Sequence, residues 1–299
     1  MNANLLNMAL QLSVQDMFSS SWFSNALMNK VWTEMMRSSV HGLLRNTGGP
    51  ELLGAALGGR LLGDAAMLRQ ASSNVSEAQS MMRMAADAVE NIADLLKEAQ
   101  TLADDFITAT QDLDLGTTAD MGLYMELYSK FQPLYEAVSN NIDSIIQNTA
   151  YNGIALLDGS AWGADPRLSV MGNAASVHIQ AGESGFPLTF NNMKTEFSGI
   201  AAQYALTAPI SSQPLWPGPP RPEVLTDLSS LQSSAQSLAD LYAGRAGSLQ
   251  SQATSLQSQA KILEEAAAQR AKTPAPVSTE NLLLNLILRD TGGLFSGKG

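Results

Sequence analysis

The chain has 299 residues, a formal net charge of −11 and no cysteine, with 45% hydrophobic and only 6% aromatic residues. The acidic balance argues against a nucleic-acid partner, because a surface that tracks phosphates needs clustered Lys and Arg. The missing thiols exclude disulfides, thiolate catalysis and Cys-ligated zinc, and the Ala, Leu, Ser, Gln and Met content favours helices over sheets.

The first 18 residues, MNANLLNMALQLSVQDMF, show no basic region and no small-residue cleavage site, and the first cation is Lys30. A Sec-type leader is therefore not expected. Residues 1–62 read as a divergent segment with helical patches at Leu5–Phe18 and Phe23–Leu44, ending in the glycine-rich run GGPELLGAALGGRLLG. The run lacks the Gly-Lys-Ser/Thr ending of a phosphate-binding loop. It reads as a loop or loosened helix, and its Gly54-x-x-x-Gly58 spacing lacks the apolar span that a membrane helix pair would need.

The clearest pattern lies in residues 63–149. Ala71, Ala78, Ala85, Ile92, Ala99 and Phe106 repeat at seven, with Asn74, Met81, Ala88, Leu95 and Leu102 three residues on and Val75, Met82, Val89, Leu96 and Ala103 one further. That periodicity predicts one long helix with a wide, small-residue-rich stripe. Met81, Met82 and Met84 read as pliable core packing rather than a partner groove. The connection TQDLDLGTTAD leads to a second helix from about Thr118 to Gln147, where Tyr124, Phe131, Val138 and Ile145 repeat at seven with Leu127 and Leu134 between them. Pro133 is expected to kink or divide it.

Residues 150–222 hold a short β excursion and a Pro-rich linker. The pairs Asn152-Gly153 and Asp158-Gly159 mark turns, and Ile154–Leu157, Leu168–Met171 and Ser176–Ala181 are short enough for strands. The prolines of SSQPLWPGPPRP favour an extended connection. Residues 223–271 then form a long helix in which Leu228, Ala235, Tyr242, Leu249, Leu256 and Leu263 repeat at seven, with Ala239, Ala246, Ala253 and Ala260 four positions later. Two long amphipathic helices, neither able to cover its stripe alone, satisfy each other most economically in an antiparallel or bundle arrangement. Residues 272–299 form a divergent tail whose NLLLNLIL run is too short to cross a bilayer. The expected fold is mainly α, a long antiparallel helical bundle or coiled-coil rod with a small β-hairpin excursion.

Catalytic and metal chemistry find little support. His41 and His178 stand beside no nucleophile or second ligand, and the adjacent acids Asp104-Asp105 and Glu264-Glu265 point different ways on a helix. No catalytic, cofactor-binding or metal-binding residue is assigned, and no enzyme is expected. The packing residues are Ala71, Asn74, Ala85, Ala88, Ile92, Leu95, Leu102, Ile145, Leu228, Leu249 and Leu256. The turn motif is Tyr151, Asn152, Gly153, Leu156, Leu157, Asp158 and Gly159.

These residues carry a family likeness. Thr149-Ala150-Tyr151-Asn152-Gly153 followed by Leu156-Leu157-Asp158-Gly159-Ser160 resembles the Thr-x-Phe-Asn-Gly and Leu-Leu-Asp-Gly elements of bacterial flagellins. Ile142-Asp143-Ser144-Ile145, Gly63-Asp64-Ala65-Ala66, Gln70-Ala71-Ser72-Ser73-Asn74, Val177–Gly182 and Arg245-Ala246 are similar to further flagellin elements in the same order. The likeness covers residues 62–185 and, more loosely, 224–265. It implies a structural subunit or accessory component of a bacterial flagellar filament or hook-filament junction, exported without a cleaved signal peptide and located outside the cell. The partners it implies are copies of itself, other flagellins and a flagellar export chaperone. The termini depart from the family: HGLLRNTGGP and the glycine run replace its Ser-Ser-Gly-Leu-Arg-Ile-Asn-like stretch, and TPAPVSTEN interrupts its final helix. A non-polymerising, cytoplasmic interaction module or regulator that binds a chaperone or another flagellar protein therefore stands beside the filament reading.

Overall fold

In a computed structural model, described for residues 50–272 apart from 116, 183 and 208–219, the chain is mainly α. The expected helical patches before residue 50, most of the Pro-rich connection and the tail after residue 272 lie outside the described residues. Helix α1 runs Pro50–Thr110, α2 Thr118–Asn148 and α5 Glu223–Lys272. Between α2 and α5 lie a hairpin of β1 (Ala150–Tyr151) and β2 (Ile154–Ala155), a 3-10 helix at Gly159–Ala164, and strands β3 (Leu168–Met171), β4 (Ala174–Ala181) and β5 (Ser184–Asn191). Two single-turn helices follow, α3 (Lys194–Phe197) and α4 (Ile200–Gln203).

Helix α1 begins earlier than the sequence pattern predicts. It opens on Pro50, whose missing amide proton costs nothing in a first turn, and it continues through the glycine run. A Cβ added at Gly58, Gly59 or Gly63 would meet no other atom within 4 Å. The glycines are thus not kept small by a close neighbour. The run is helical because Leu61, Ala65 and Leu68 repeat on one face that buries, outweighing a cost of about 1 kcal/mol for each glycine. At its other end Thr110 folds its hydroxyl back onto the carbonyl of Phe106 at 2.7 Å and closes the helix.

Helix α2 starts where a cap predicts it: Thr117 Oγ1 accepts the Asp120 amide at 3.1 Å, and Asp120 sits in the electropositive first turn. Pro133 neither ends nor divides it, since the helix is continuous from Thr118 to Asn148 with the proline on an exposed position. The buried face of α2 also departs from a strict repeat of seven. Tyr124, Tyr135 and Ile146 are buried at spacings of eleven, with Val138, Ser139 and Ile142 between them, whereas Leu134 is 50% exposed. An eleven-residue recurrence follows a straight helix more closely than seven does.

The β part is larger than a hairpin. Strands β3, β4 and β5 form one antiparallel sheet in that order, and β5 has no counterpart in the sequence reading because Gly185 and Pro187 interrupt its alternation. Proline is tolerated there because β5 lies at the sheet edge. Ala175, Val177 and Ile179 pair with Phe190, Leu188 and Phe186 and form one apolar face.

The chain divides into two units. In the first, made of the described residues up to Ser73 and from Gln252 on, Ala65 and Leu68 of α1 pack with Ala260 and Leu263 of α5. Ser72 Oγ donates to the carbonyl of Ala253 at 2.8 Å and Arg69 pairs with Glu264 at 2.6 Å. Rising numbers on one helix meet falling numbers on the other, so the pair is antiparallel. In the second unit, Asn74–Ser251, Phe106 of α1 stacks against Tyr124, Tyr128 and Phe131 of α2 at centroid distances of 5.7 to 6.3 Å. The sheet lies against α5, where Phe190 meets Tyr242 at 6.2 Å and Tyr242 Oη accepts the Asn191 amide at 2.8 Å.

Candidate functional site

Two features stand out, the helix stripes and the turn motif. On α1 the repeat that begins at Ala71 is buried at every member through Phe106, and so is the series Val75, Met82, Val89, Leu96 and Ala103. Of the residues three positions after the first series, Met81 and Ala88 are buried while Asn74, Leu95 and Leu102 are half-buried. On α5, Leu228, Ala235, Tyr242, Leu249 and Leu263 are buried together with Ala239, Ala246, Ala253 and Ala260, and Leu256 is half-buried. Both stripes combine positions i and i+4. Alanines at most of these positions shorten the distance at which a facing helix can pack.

The turn motif is built from two different turns. Ala150 pairs with Ala155 and Tyr151 with Ile154, which leaves Asn152-Gly153 as a two-residue loop. Both loop residues have positive φ, 48° and 78°, as a type I′ hairpin turn demands, and Asn and Gly are the residues that adopt it at least cost. Asn152 Nδ2 donates to Glu77 Oε1 of α1 at 3.0 Å, and Arg167 Nη1 donates to the Asn152 carbonyl at 3.1 Å. Arg167 also grips Asp165, whose carboxyl its hydrogen bonds hold down to about 2.

Asp158-Gly159 makes no hairpin. Asp158 Oδ1 accepts the amide and hydroxyl of Ser160 at 2.9 and 2.6 Å and so caps the 3-10 helix. Its second oxygen accepts from Lys194 Nζ at 3.2 Å. Burial alone would raise the Asp158 carboxyl, but the Ser160 and Lys194 hydrogen bonds outweigh it and leave the group below its usual value. Gly159 lies against Asn192: an added Cβ would fall 2.3 to 2.8 Å from that side chain, whose oxygen accepts the Gly159 amide at 3.0 Å. Leu156 and Leu157 are fully buried, and Trp162 closes the knot by donating its indole N–H to the Ala155 carbonyl at 2.9 Å.

Between α1 and the end of α2 runs an open groove of about 610 Å³, lined among others by Arg83, Met84, Asp87, Ala88, Ile145 and Thr149. Half-buried Ile145 is thus a groove residue, and Met84 is partly exposed there while Met81 and Met82 are buried. His178 is exposed on β4. Among the described residues, no three His, Cys, Asp or Glu side chains gather as a metal would require, and no helix is long and apolar enough to cross a membrane. The partners that the sequence reading missed are Glu77, Arg167, Asn192, Lys194 and Tyr128. The Phe106 ring cluster could have been anticipated from aromatic spacing on α2. The others carry no local signal.

Long helices with alanine-rich buried stripes, joined through a small antiparallel sheet, place the chain in the class of mainly α proteins built for side-by-side helix packing. No family model matches the chain. Over 175 residues it is 28% identical to a flagellin from Clostridium tyrobutyricum, a match that covers 58% of this chain and 42% of that flagellin. The chain thus spans less than half the length of the curated relative it matches.

Proposed function

We propose that the chain is a flagellin-like structural subunit or accessory component of a bacterial flagellar filament or hook-filament junction. The observation that carries this reading is the 175-residue similarity to a flagellin. Its mechanism is assembly rather than catalysis. The i, i+4 stripes of α1 and α5 organise the helices, and remaining small-residue surfaces and terminal segments pack between copies in a heterologous contact that does not close and so propagates. The packing residues named above, Ala71 to Leu256, serve the first task, and the knot at Tyr151–Gly159 anchors the sheet to the helices. Export without a cleaved signal peptide, binding of an export chaperone and a place outside the cell belong to the same reading.

The termini that depart from the flagellin pattern favour a second reading, a module that keeps the helical part but never polymerises. Sedimentation of the purified protein with and without residues 1–60 and 272–299 separates the two. Long particles that truncation abolishes support the subunit, and small particles in both preparations support the module. Recovery of the chain in sheared surface appendages, against recovery in the cytoplasm, tests the location.

A further inference from the structure

Asn152-Gly153 is the one Asn-Gly pair in the sequence, and the structure places it where that pair is chemically vulnerable. An asparagine amide is attacked by the backbone nitrogen of the next residue, and glycine leaves that nitrogen least hindered. Both residues are exposed. A Cβ on Gly153 would meet only Arg167 Nη2, at 3.9 Å, and the Gly153 amide carries no hydrogen bond among the described residues. Ring closure requires the tight turn to rotate. Only two residue pairs hold it, Ala150 with Ala155 and Tyr151 with Ile154, and so short a hairpin opens locally at small cost.

We propose that Asn152 is a site of spontaneous deamidation, and that the reaction turns the hairpin's hold on α1 from attraction into repulsion. The Gly153 nitrogen loses its proton to hydroxide or water and bonds to Asn152 Cγ. The Cγ–Nδ2 bond breaks, and ammonia leaves with a proton from the medium. Water then opens the cyclic imide at either carbonyl, giving aspartate or isoaspartate, so the net change is ammonia released and water gained. The amide that is lost is the group that donates to Glu77 Oε1 at 3.0 Å. A carboxylate in its place has no proton to donate and sets two negative charges against each other, a repulsion that Arg167 offsets poorly because its guanidinium is already engaged by Asp165. The isoaspartate product also lengthens the backbone by one methylene and spoils the type I′ geometry.

The test is to age the folded, full-length protein at mildly alkaline pH, digest it at intervals and map the mass change, beside a synthetic peptide spanning residues 147–156. The expected result is a gain of mass confined first to the peptide carrying Asn152, at a rate near that of the free peptide, and slowed roughly tenfold by Gly153→Ala, whose methyl hinders the attacking nitrogen. An Asn152 that stays amide in the folded chain while the free peptide converts overturns the proposal. The switch is read separately by hydrogen exchange at residues 150–155. Asn152→Asp, which supplies one product directly, accelerates exchange there, and Glu77→Gln in the same chain reverses most of that acceleration. Equal exchange in wild type and Asn152→Asp overturns the repulsive switch.

Discussion

Two single residues show how much of the turn region depends on atoms brought in from afar. Gly159 has no side chain because Asn192 occupies the space, and Asn192 is itself held by the amides of Gly159 and Lys194. Gly159→Ala therefore forces a well-bonded side chain to move, and we expect a loss of about 1–3 kcal/mol of stability in urea unfolding. A loss under a few tenths would mean that Asn192 moves freely. Tyr242 is the second case. Burial pushes its hydroxyl up to about 12, partly offset by the Asn191 amide it accepts. Since the unfolded phenol ionises near 10.0, the unfolded chain releases its proton first as pH rises. Tyr242 thus contributes full stability below that value and progressively less from there up to its folded value. Burial raises Tyr124 and Tyr135 in the same direction. Stability should fall steeply between about pH 9 and about pH 11, and Tyr242→Phe should flatten that fall. A variant with the same alkaline slope as wild type would sink the assignment.

At the scale of elements, the helices show a local preference overridden by packing. The run from Gly54 to Gly63 is poor in helix propensity and is helical nonetheless, because its leucines and alanines recur on the face that meets Ala260 and Leu263. The glycines at 58, 59 and 63 face open space. Replacing any of them by alanine should stabilise the chain by about 0.5–1 kcal/mol, mainly by restricting the unfolded state. Thermal unfolding of the single and triple alanine variants checks this, and destabilisation would reveal a close neighbour at these positions. Helix α2 illustrates the reverse difficulty. Its apolar residues fit a repeat of seven on paper, yet the buried set drifts to elevens, leaving Leu134 at the surface and bringing Tyr135 inward, where its hydroxyl donates to the Tyr204 carbonyl at 2.9 Å.

For the whole molecule, charge sets the terms of association. A net charge of −11 means that copies repel one another before any apolar surface meets. If copies assemble as proposed, raising ionic strength from low salt to about 0.15 M should strengthen the association, because screening shortens the reach of that repulsion. Sedimentation velocity at the two salts measures it. Weaker association at the higher salt would point to attractive ion pairs between copies and against packing of small-residue surfaces. The exposed Arg69–Glu264 pair within one chain has little bearing on the outcome, since solvent screens it already.

Periodic features were legible in the amino-acid order alone. A stripe at seven on α1 and α5, the start of α2 at its threonine cap and the Asn-Gly hairpin all depend on residues within a few turns of one another, so their spacing encodes them directly. The mainly α class follows from the same patterns. Other features became visible only in three dimensions. The positions three residues after the Ala71 series and the positions one further look equally apolar on paper, and the burial of Val75, Val89 and Leu96 against the half-exposure of Asn74, Leu95 and Leu102 is decided by where neighbours sit. The Asp158–Lys194, Gly159–Asn192 and Asn152–Glu77 contacts join residues 33 to 75 positions apart. No local period links such partners. They meet because the sheet folds back on the helices, and a packed tertiary structure is the level at which their geometry is determined.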